Sequence, residues 1–177
     1  MKVDKHIYII NGTGGSGKDT LCNIVADKYE RNNFQVRSIS SVDQVKECAK
    51  ILGWDGVSKN ENDRKFLSDL KDLATRYCDS PFKYEYKRIL EFMGSSMPGI
   101  LFIHIREPEE IAKLVLTFPV IETIYVVNDN IPKITSNHAD ANTSNYEYDH
   151  YIYNNGTLEE YKSTIINWFD EVIYGED

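Results

Sequence analysis

Short apolar runs alternate with amphipathic segments along the chain of 177 residues. An unbroken apolar run favours a strand buried on both faces of a parallel sheet, whereas apolar residues spaced three and four apart favour a helix. The pattern predicts strands over residues 7–10, 34–40, 100–103, 120–127 and 148–153. It predicts helices over residues 21–31, 42–52, 61–77, 80–93, 108–117 and 157–173.

This alternation predicts a three-layer α/β fold, in which helices cover a doubly wound parallel sheet of five strands. A chain of this length suits one domain, residues 1–177. Three helices lie between the second and third strands, where one crossover helix would suffice, so residues 42–98 are predicted to be an insert that closes over a second ligand. The core is then residues 1–41 and 99–177. Residues 128–146 are polar and without period, and we expect a lid loop there.

Two helices of the insert have apolar residues at helical spacing. On the first of them we expect Val42, Val45, Ala49 and Leu52 to point inward. On the second, one face is shared by Phe66, Leu67, Leu70, Leu73, Ala74 and Tyr77.

Residues 11–20 join the first strand to the first helix and read Asn-Gly-Thr-Gly-Gly-Ser-Gly-Lys-Asp-Thr. Glycines let such a loop curl until backbone N–H groups converge, and the positive end of the following helix faces the same space. Lys18 would supply a mobile ammonium for the outer phosphates of a nucleotide. The stretch predicts a triphosphate cradle (a P-loop, or Walker A motif). Its ligand-binding residues would be Gly12, Thr13, Gly14, Gly15, Ser16, Gly17, Lys18, Asp19 and Thr20.

The same glycines also satisfy Gly-x-Gly-x-x-Gly, the dinucleotide fingerprint, at Gly12, Gly14 and Gly17. A dinucleotide fold does not need the lysine, and it places an acidic residue at the end of the second strand. Here that strand ends in two serines, and the first acidic residue after it is Asp43. The triphosphate cradle is favoured, with a dinucleotide site or a glycine turn without a ligand as alternatives.

Charge and cysteine content limit the class of partner. The chain has 20 basic and 28 acidic residues and a formal net charge of −8, which opposes binding to nucleic acid or to an acidic membrane. Cys22, Cys48 and Cys78 form no metal-binding or redox motif, and we expect reduced thiols. No apolar run approaches the about 18 residues of a membrane span, and the first strand leaves no room for a signal peptide. We therefore expect a cytoplasmic protein.

Four patches, which together span nearly the whole chain, resemble the nucleoside-monophosphate-kinase group of P-loop proteins. The likeness is to the branch that holds bacteriophage deoxynucleoside monophosphate kinases and animal phosphomevalonate kinases. The patches are Gly17-Lys18-Asp19-Thr20, residues 41–49, residues 104–110 and residues 148–158. The third reads His-Ile-Arg-Glu-Pro-Glu-Glu, similar to the Asp-x-Arg-x-Pro-x-Glu that ends a strand in the phage kinases. The first and fourth patches are specific, and the other two are loose.

The resemblance implies phosphoryl transfer from ATP, with Mg²⁺, to a small-molecule phosphate acceptor, in particular a nucleoside monophosphate, deoxy or ribo. It implies Lys18 and Arg106 as catalytic residues. Asn154 would lie beside the adenine of the donor, although a turn would explain it equally well. Thr20 and Asp19 would bind magnesium, or Asp19 would only cap its helix. The implied acceptor-binding residues are Lys46, Arg64, Arg88 and Lys133.

Two departures from the family pattern leave the activity open. His104 stands where relatives often have a magnesium-holding aspartate, and it either bonds a phosphate or is a strand histidine satisfied by neighbours. Residues 128–145 contain no arginine, and Lys133 and His138 are their only basic residues. The alternatives are a kinase for a non-nucleotide acceptor, of the phosphomevalonate or dephospho-coenzyme A type, and a nucleotide-binding protein with little kinase activity. A monomer or a homodimer is expected.

Overall fold

The computed structural model describes residues 4–58, 60–131 and 146–175. The chain divides into two compact units. The sheet unit consists of Met1–Ser38 and Ser95–Asp177, and the helical unit is Ile39–Gly94.

The described residues form five strands and six α-helices. The strands are β1 Lys5–Asn11, β2 Gln35–Ser40, β3 Gly99–His104, β4 Ile121–Val127 and β5 His150–Tyr153. The α-helices are α1 Lys18–Tyr29, α2 Asp43–Ile51, α3 Glu61–Cys78, α4 Ser80–Met93, α5 Pro108–Thr117 and α6 Leu158–Tyr174. A 3₁₀ turn, Glu30–Asn32, follows α1.

The strands make one sheet, which within the described ranges has five members in the order β2-β3-β1-β4-β5. β1 pairs in parallel with β3 and β4, and β4 pairs in parallel with β5. This confirms the predicted doubly wound parallel sheet. In the register of β1 with β3, Ile10 lies opposite His104. The loop that follows β1 therefore begins beside the carboxyl end of β3, at the sheet edge where ligands bind in open parallel sheets.

The core of the sheet unit explains the unbroken apolar runs. One large cluster joins sheet residues to α1 and α6: Tyr8, Ile10, Phe102, Ile124, Val126, Leu21, Val25, Ile165 and Phe169 are among its members. Strand residues of the opposite parity are buried too: Ile7, Ile9, Leu101 and Ile103. Because both faces of the central strands exclude water, polar alternation is absent from them.

β2, β4 and β5 begin later than the sequence predicts, and for the last two the hydrogen bonds show why. β4 begins at Ile121, whose N–H donates to Phe118 O in a turn (3.0 Å) and so leaves Val120 outside the strand. β5 begins at His150, two residues late, because side chains replace the ladder at Asp149. The Asp149 Oδ2 atom accepts from the N–H and the Oγ1 of Thr123 (2.8 and 2.7 Å), and Thr123 Oγ1 accepts from the N–H of Asp149 at 2.9 Å.

The helical unit buries less of its apolar surface than predicted. Val45 and Ala49 of α2 are buried as expected, but α3 has no buried residue. The apolar face of α3 is at most half-buried, and Leu73 and Tyr77 on it are 56% and 87% exposed. The prediction that Leu52 points inward is wrong: its side chain is 65% exposed, because α2 ends one residue earlier and the chain turns there.

Two general features bear on the class of protein. No helix in the described ranges combines the length and the hydrophobicity that crossing a membrane would require. The three cysteines, Cys22, Cys48 and Cys78, are free thiols.

Candidate nucleotide-binding site

The loop between β1 and α1 runs so close to its neighbours that two of its glycines have no room for a side chain. Gly12 has a φ of 145°, and a Cβ there would lie 2.5 Å from the carbonyl oxygen of Val126. Gly17 has a φ of 105°, and a Cβ there would lie 2.5 Å from the Nδ2 atom of Asn154. Both φ values are costly for residues with a side chain. The loop therefore depends on glycine at both ends.

Donors from two other segments hold the second half of the loop. Asn154 Nδ2 donates to Ser16 O (2.9 Å), and the hydroxyl of Tyr161 donates to Gly17 O (3.1 Å). In a planar trans peptide the N–H points opposite to the C=O. With these two carbonyls turned toward Asn154 and Tyr161, the N–H groups of Gly17 and Lys18 point the other way. They point toward the start of α1.

The start of α1 carries no side-chain cap. The helix begins at Lys18, and Gly17 before it supplies no capping hydrogen bond. The first N–H groups of a helix lack partners within the helix, and its dipole makes this end positive. Together these properties suit the N-terminus of α1 to an anion such as phosphate.

Lys18 reaches back over the loop. Its Nζ donates to the carbonyl oxygens of Gly12 (2.5 Å) and Thr13 (2.9 Å). The ammonium is thus held by carbonyl oxygens in the first half of the cradle. A ligand phosphate would attract the same ammonium.

Ser16 is the least satisfied polar group of the loop. It is fully buried, and its Oγ has no hydrogen-bond partner among the described residues. A buried hydroxyl left without a bond costs about 1–3 kcal/mol. A phosphate oxygen is the kind of group that would satisfy it.

The oxygen donors at the start of α1 fit a shared magnesium ion. Asp19 is exposed in the first turn, and the half-buried Thr20 follows it. Across the described part of the chain no three His, Cys, Asp or Glu residues cluster as metal ligands. Mg²⁺ keeps several waters and takes only one or two protein carboxylates together with substrate phosphates, so Asp19 and Thr20 suffice as its protein partners.

Asn11 connects the cradle to the end of β3. Its buried side chain accepts from the N–H of Gly12 (2.8 Å) and donates to Arg106 O (3.3 Å) and to the hydroxyl of Tyr148 (2.8 Å). The exposed guanidinium of Arg106, two residues beyond β3, therefore belongs to a segment tied to the loop. The predicted pair Lys18 and Arg106 lies at one edge of the sheet.

His104 has structural neighbours. Its Nε2 lies 2.9 Å from Ser38 Oγ and 3.8 Å from Cys22 Sγ. Burial, together with the nearby charge of Asp19, raises the pKa of the Cys22 thiol to about 12, so the thiol remains protonated at neutral pH. These contacts agree with the interpretation of His104 as a strand histidine satisfied by its neighbours.

The predicted acceptor-binding residues are not all brought together. Lys46 is half-buried on α2, and Arg64 is exposed on α3. Arg88, on α4, lines a cavity of about 410 Å³ in the helical unit, whose lining includes neither Lys46 nor Arg64. Lys133 lies outside the described residues, as does most of the predicted lid.

Sequence reasoning missed several residues of these sites. Asn11 and Tyr148 lie in stretches that the sequence singled out, residues 11–20 and 148–158, but neither was predicted to hold the cradle, and Tyr161 lies in no motif. Lys83 and Lys87 line the same cavity as Arg88, and here a signal existed. Lys83 and Lys87 are four residues apart on a predicted helix, which places them on one face, and Arg88 follows directly after Lys87.

The chain resembles solved kinases in fold. Dephospho-CoA kinase from Campylobacter jejuni superposes with a TM-score of 0.55 at 14% identity, over 97% of this chain and 99% of that one. Shikimate kinase from Bacteroides thetaiotaomicron superposes with a TM-score of 0.50 at 12% identity, again over 97% and 99%. No protein-family model matches the sequence, and no curated protein matches it either. The likeness shows the α/β fold, and at these identities it shows the fold alone.

Proposed function

We propose that this protein is an ATP-dependent phosphotransferase that phosphorylates a small-molecule phosphate acceptor, in the first place a nucleoside monophosphate, deoxy or ribo. The observation that carries the proposal is the cradle. An uncapped helix N-terminus, the ammonium of Lys18 and the buried hydroxyl of Ser16 converge on one loop. A triphosphate offers negative oxygens that could bind all three.

Phosphoryl transfer needs positioning and charge neutralisation more than covalent chemistry. The N–H groups of Gly17 and Lys18 would bind the donor's phosphates, and the Lys18 ammonium would leave its loop carbonyls for phosphate oxygens. Asp19 and Thr20 would hold Mg²⁺, which when bound neutralises charge on those oxygens. Asn154 would act on the donor by fixing the loop through Ser16 O.

Arg106 is the residue proposed to stabilise the migrating phosphoryl group. A guanidinium offers paired N–H donors that match two phosphate oxygens. Asn11 ties the Arg106 backbone to the loop, which supports a role for its side chain beside the donor site. Its contribution would grow as charge develops on the transferring group.

The test is a coupled assay of the full chain with Mg-ATP and a panel of nucleoside monophosphates, dephospho-coenzyme A and phosphomevalonate, together with a separate measurement of ATP affinity. Lys18→Ala is expected to abolish ATP binding. Arg106→Gln is expected to keep ATP affinity within about twofold and to lower kcat by about 10²-fold. Lys113→Ala, on α5, is the control and should change neither. Unchanged ATP affinity in Lys18→Ala would contradict the assignment of the cradle.

One observation favours a second function, that of a nucleotide-binding protein with little kinase activity. His104 gives the end of β3 an imidazole bonded to Ser38 rather than a carboxylate. On this hypothesis ATP binds and Lys18→Ala abolishes binding, but no acceptor of the panel is phosphorylated.

A further inference from the structure

The helical unit contains a cavity of about 410 Å³. This volume lies within the range of small-molecule sites. All the charged residues of its lining belong to α4, namely Lys83, Lys87, Arg88 and Glu91, and Ser80 and Tyr84 of the same helix add hydroxyl groups. Three cations face one carboxylate there.

This local positive charge contrasts with the rest of the chain. Ten of the 20 basic residues and ten of the 28 acidic residues belong to Ile39–Gly94. The helical unit is therefore neutral as a whole, whereas the sheet unit holds the entire net charge of −8. An excess of cations at one cavity of a neutral unit, in an acidic protein, points to an anionic ligand.

Glu91 organises the basic residues. Its Oε2 accepts from Arg88 Nη1 at 2.6 Å, and its Oε1 lies 3.9 Å from Lys87 Nζ. A guanidinium has five N–H donors, so the bond to Glu91 orients the half-buried Arg88 and leaves other N–H groups that can donate to a ligand. The carboxylate holds the two cations close, and it also repels an incoming anion.

The hydroxyl groups at the cavity, those of Ser80 and Tyr84, each donate a hydrogen bond to a neighbouring side chain. Ser80 Oγ donates to Gln44 Oε1 at 3.0 Å, and Tyr84 donates to Asp43 Oδ2 at 3.5 Å. Burial, and then the charge of Asp43, raises the pKa of Tyr84, so its phenol stays neutral and remains a donor. The Asp43 carboxylate in turn accepts from the N–H of Ser40 at 2.8 Å.

We propose that this cavity binds a phosphate-bearing small molecule through Lys83, Lys87 and Arg88, and that this molecule is the acceptor of the proposed reaction. The assignment to the acceptor rests on the proposed function, whereas phosphate binding at the cavity does not. Free inorganic phosphate shares the recognised chemistry, so it serves as the probe for the cavity. Steady-state kinetics then distinguish an acceptor site from a site for free phosphate.

The binding test is an amide NMR titration of the full chain with inorganic phosphate at constant ionic strength, in a Lys18→Ala background that removes the lysine of the cradle. We expect shifts along α4 and at the Arg88 side chain. Arg88→Gln should weaken binding at least about tenfold, because a charge-assisted bond is lost. Glu91→Gln should tighten it about threefold, because it removes the repelling charge.

Lys65→Ala is the matched control, since this exposed lysine of α3 also pairs with a carboxylate, Asp69 at 2.6 Å. Its affinity for phosphate should equal that of the parent. A gain in affinity by Glu91→Gln cannot come from misfolding. Shifts confined to residues 12–20, or equal affinities in Arg88→Gln and the parent, would overturn the cavity assignment.

The kinetic test uses the chain with Lys18 intact and the acceptor that the panel identifies. Arg88→Gln is expected to raise the acceptor KM at least about tenfold, with the KM for ATP unchanged. Loss of phosphate binding with an unchanged acceptor KM would overturn the acceptor assignment. A chain that binds phosphate on α4 but turns over no acceptor would instead contradict the proposed function itself.

Discussion

Gly12 and Gly53 both have a positive φ, but only Gly12 also lacks space for a side chain. Gly12 has a φ of 145° and no space for a Cβ, since Val126 O would be 2.5 Å away. Gly53, in the turn after α2, has a φ of 106° and nothing within 4 Å of a Cβ. A side chain at Gly53 would therefore cause backbone strain alone, whereas a side chain at Gly12 would cause backbone strain and a steric clash.

Alanine at each position should measure the two effects. We expect Gly53→Ala to lower the free energy of unfolding by about 1 kcal/mol, the strain alone. Gly12→Ala should cost at least about 1 kcal/mol more, because the backbone of β4 must move. Urea unfolding of the two variants checks this. Equal losses would mean that Val126 yields without cost.

The role of a single residue could be predicted from the sequence where it depends on its neighbours in the chain, and not where it depends on distant residues. Gly12, Gly17 and Lys18 follow from spacing, because a tight loop and its lysine are encoded within a few residues. Asn11 and Tyr161 act through partners 137 and 144 residues away, at Tyr148 and Gly17. Nothing in the sequence near them indicates those pairings.

Between elements, one ion pair joins α1 to α6. Asp170 of α6 accepts from Lys28 Nζ and, at 2.6 Å, from the hydroxyl of Tyr29. Burial acts to raise the pKa of Asp170, but the hydrogen bonds from Lys28 and Tyr29 outweigh it, and the pKa falls below its ordinary value. The carboxylate therefore stabilises the folded chain when it is charged.

This pKa sets a pH dependence. A lowered folded pKa gives stability that is fully present above the unfolded pKa, about 3.9, and lost as pH falls through the folded value. At pH 7 Asp170→Asn should lower Tm by about 3 °C, or about 1 kcal/mol after discounting for partial exposure. The difference from the parent should shrink below about pH 4.

Calorimetry from pH 7 to pH 3 makes the measurement. Asp69→Asn, in the exposed pair with Lys65, is the control and should stay within about 0.5 kcal/mol of the parent throughout. A Tm difference for Asp170→Asn that is constant across this range would show that charge is not its cause.

The spacing of apolar residues predicts where a helix begins and ends better than it predicts how deeply its residues are buried. It gave α3 nearly the right bounds and placed its apolar residues on one face, but it did not indicate that Leu73 and Tyr77 on that face are exposed. Spacing tells which residues share a face of a helix, but another element must cover that face, and no residue of α3 encodes where its neighbours lie. The start of α6 was predictable because its cap is local: Thr157 accepts from Glu160 N–H, and Glu160 accepts from Thr157 N–H.

For the molecule as a whole, the fold class was predictable and the ligands were not. Apolar runs without alternation require a sheet covered on both faces, and the intervening helices require parallel crossovers. The cavity of the helical unit could not be inferred, because its lining depends on how side chains of separate helices meet. The spacing of Lys83 and Lys87 is visible in the sequence, but the cavity that they share with Arg88 is not.

The negative net charge of the whole chain predicts that the protein does not bind nucleic acid. We expect no binding to a fluorescent DNA duplex at physiological salt at protein concentrations up to about 100 µM, because phosphate contacts need a basic surface. Fluorescence anisotropy measures this. Micromolar binding that weakens with salt would contradict the prediction, and its loss in Arg88→Gln would locate it on α4.

The buried hydroxyl of Ser16 implies a trade-off between stability and function. Removing an unsatisfied polar group from a protein interior stabilises it, so Ser16→Ala should raise the free energy of unfolding without nucleotide by about 1 kcal/mol. The same variant should bind ATP several-fold more weakly. Chemical unfolding of this variant should therefore show a higher stability, and ATP titration should show a lower affinity. A serine retained at this position would mark a site selected for its ligand at the expense of its own fold.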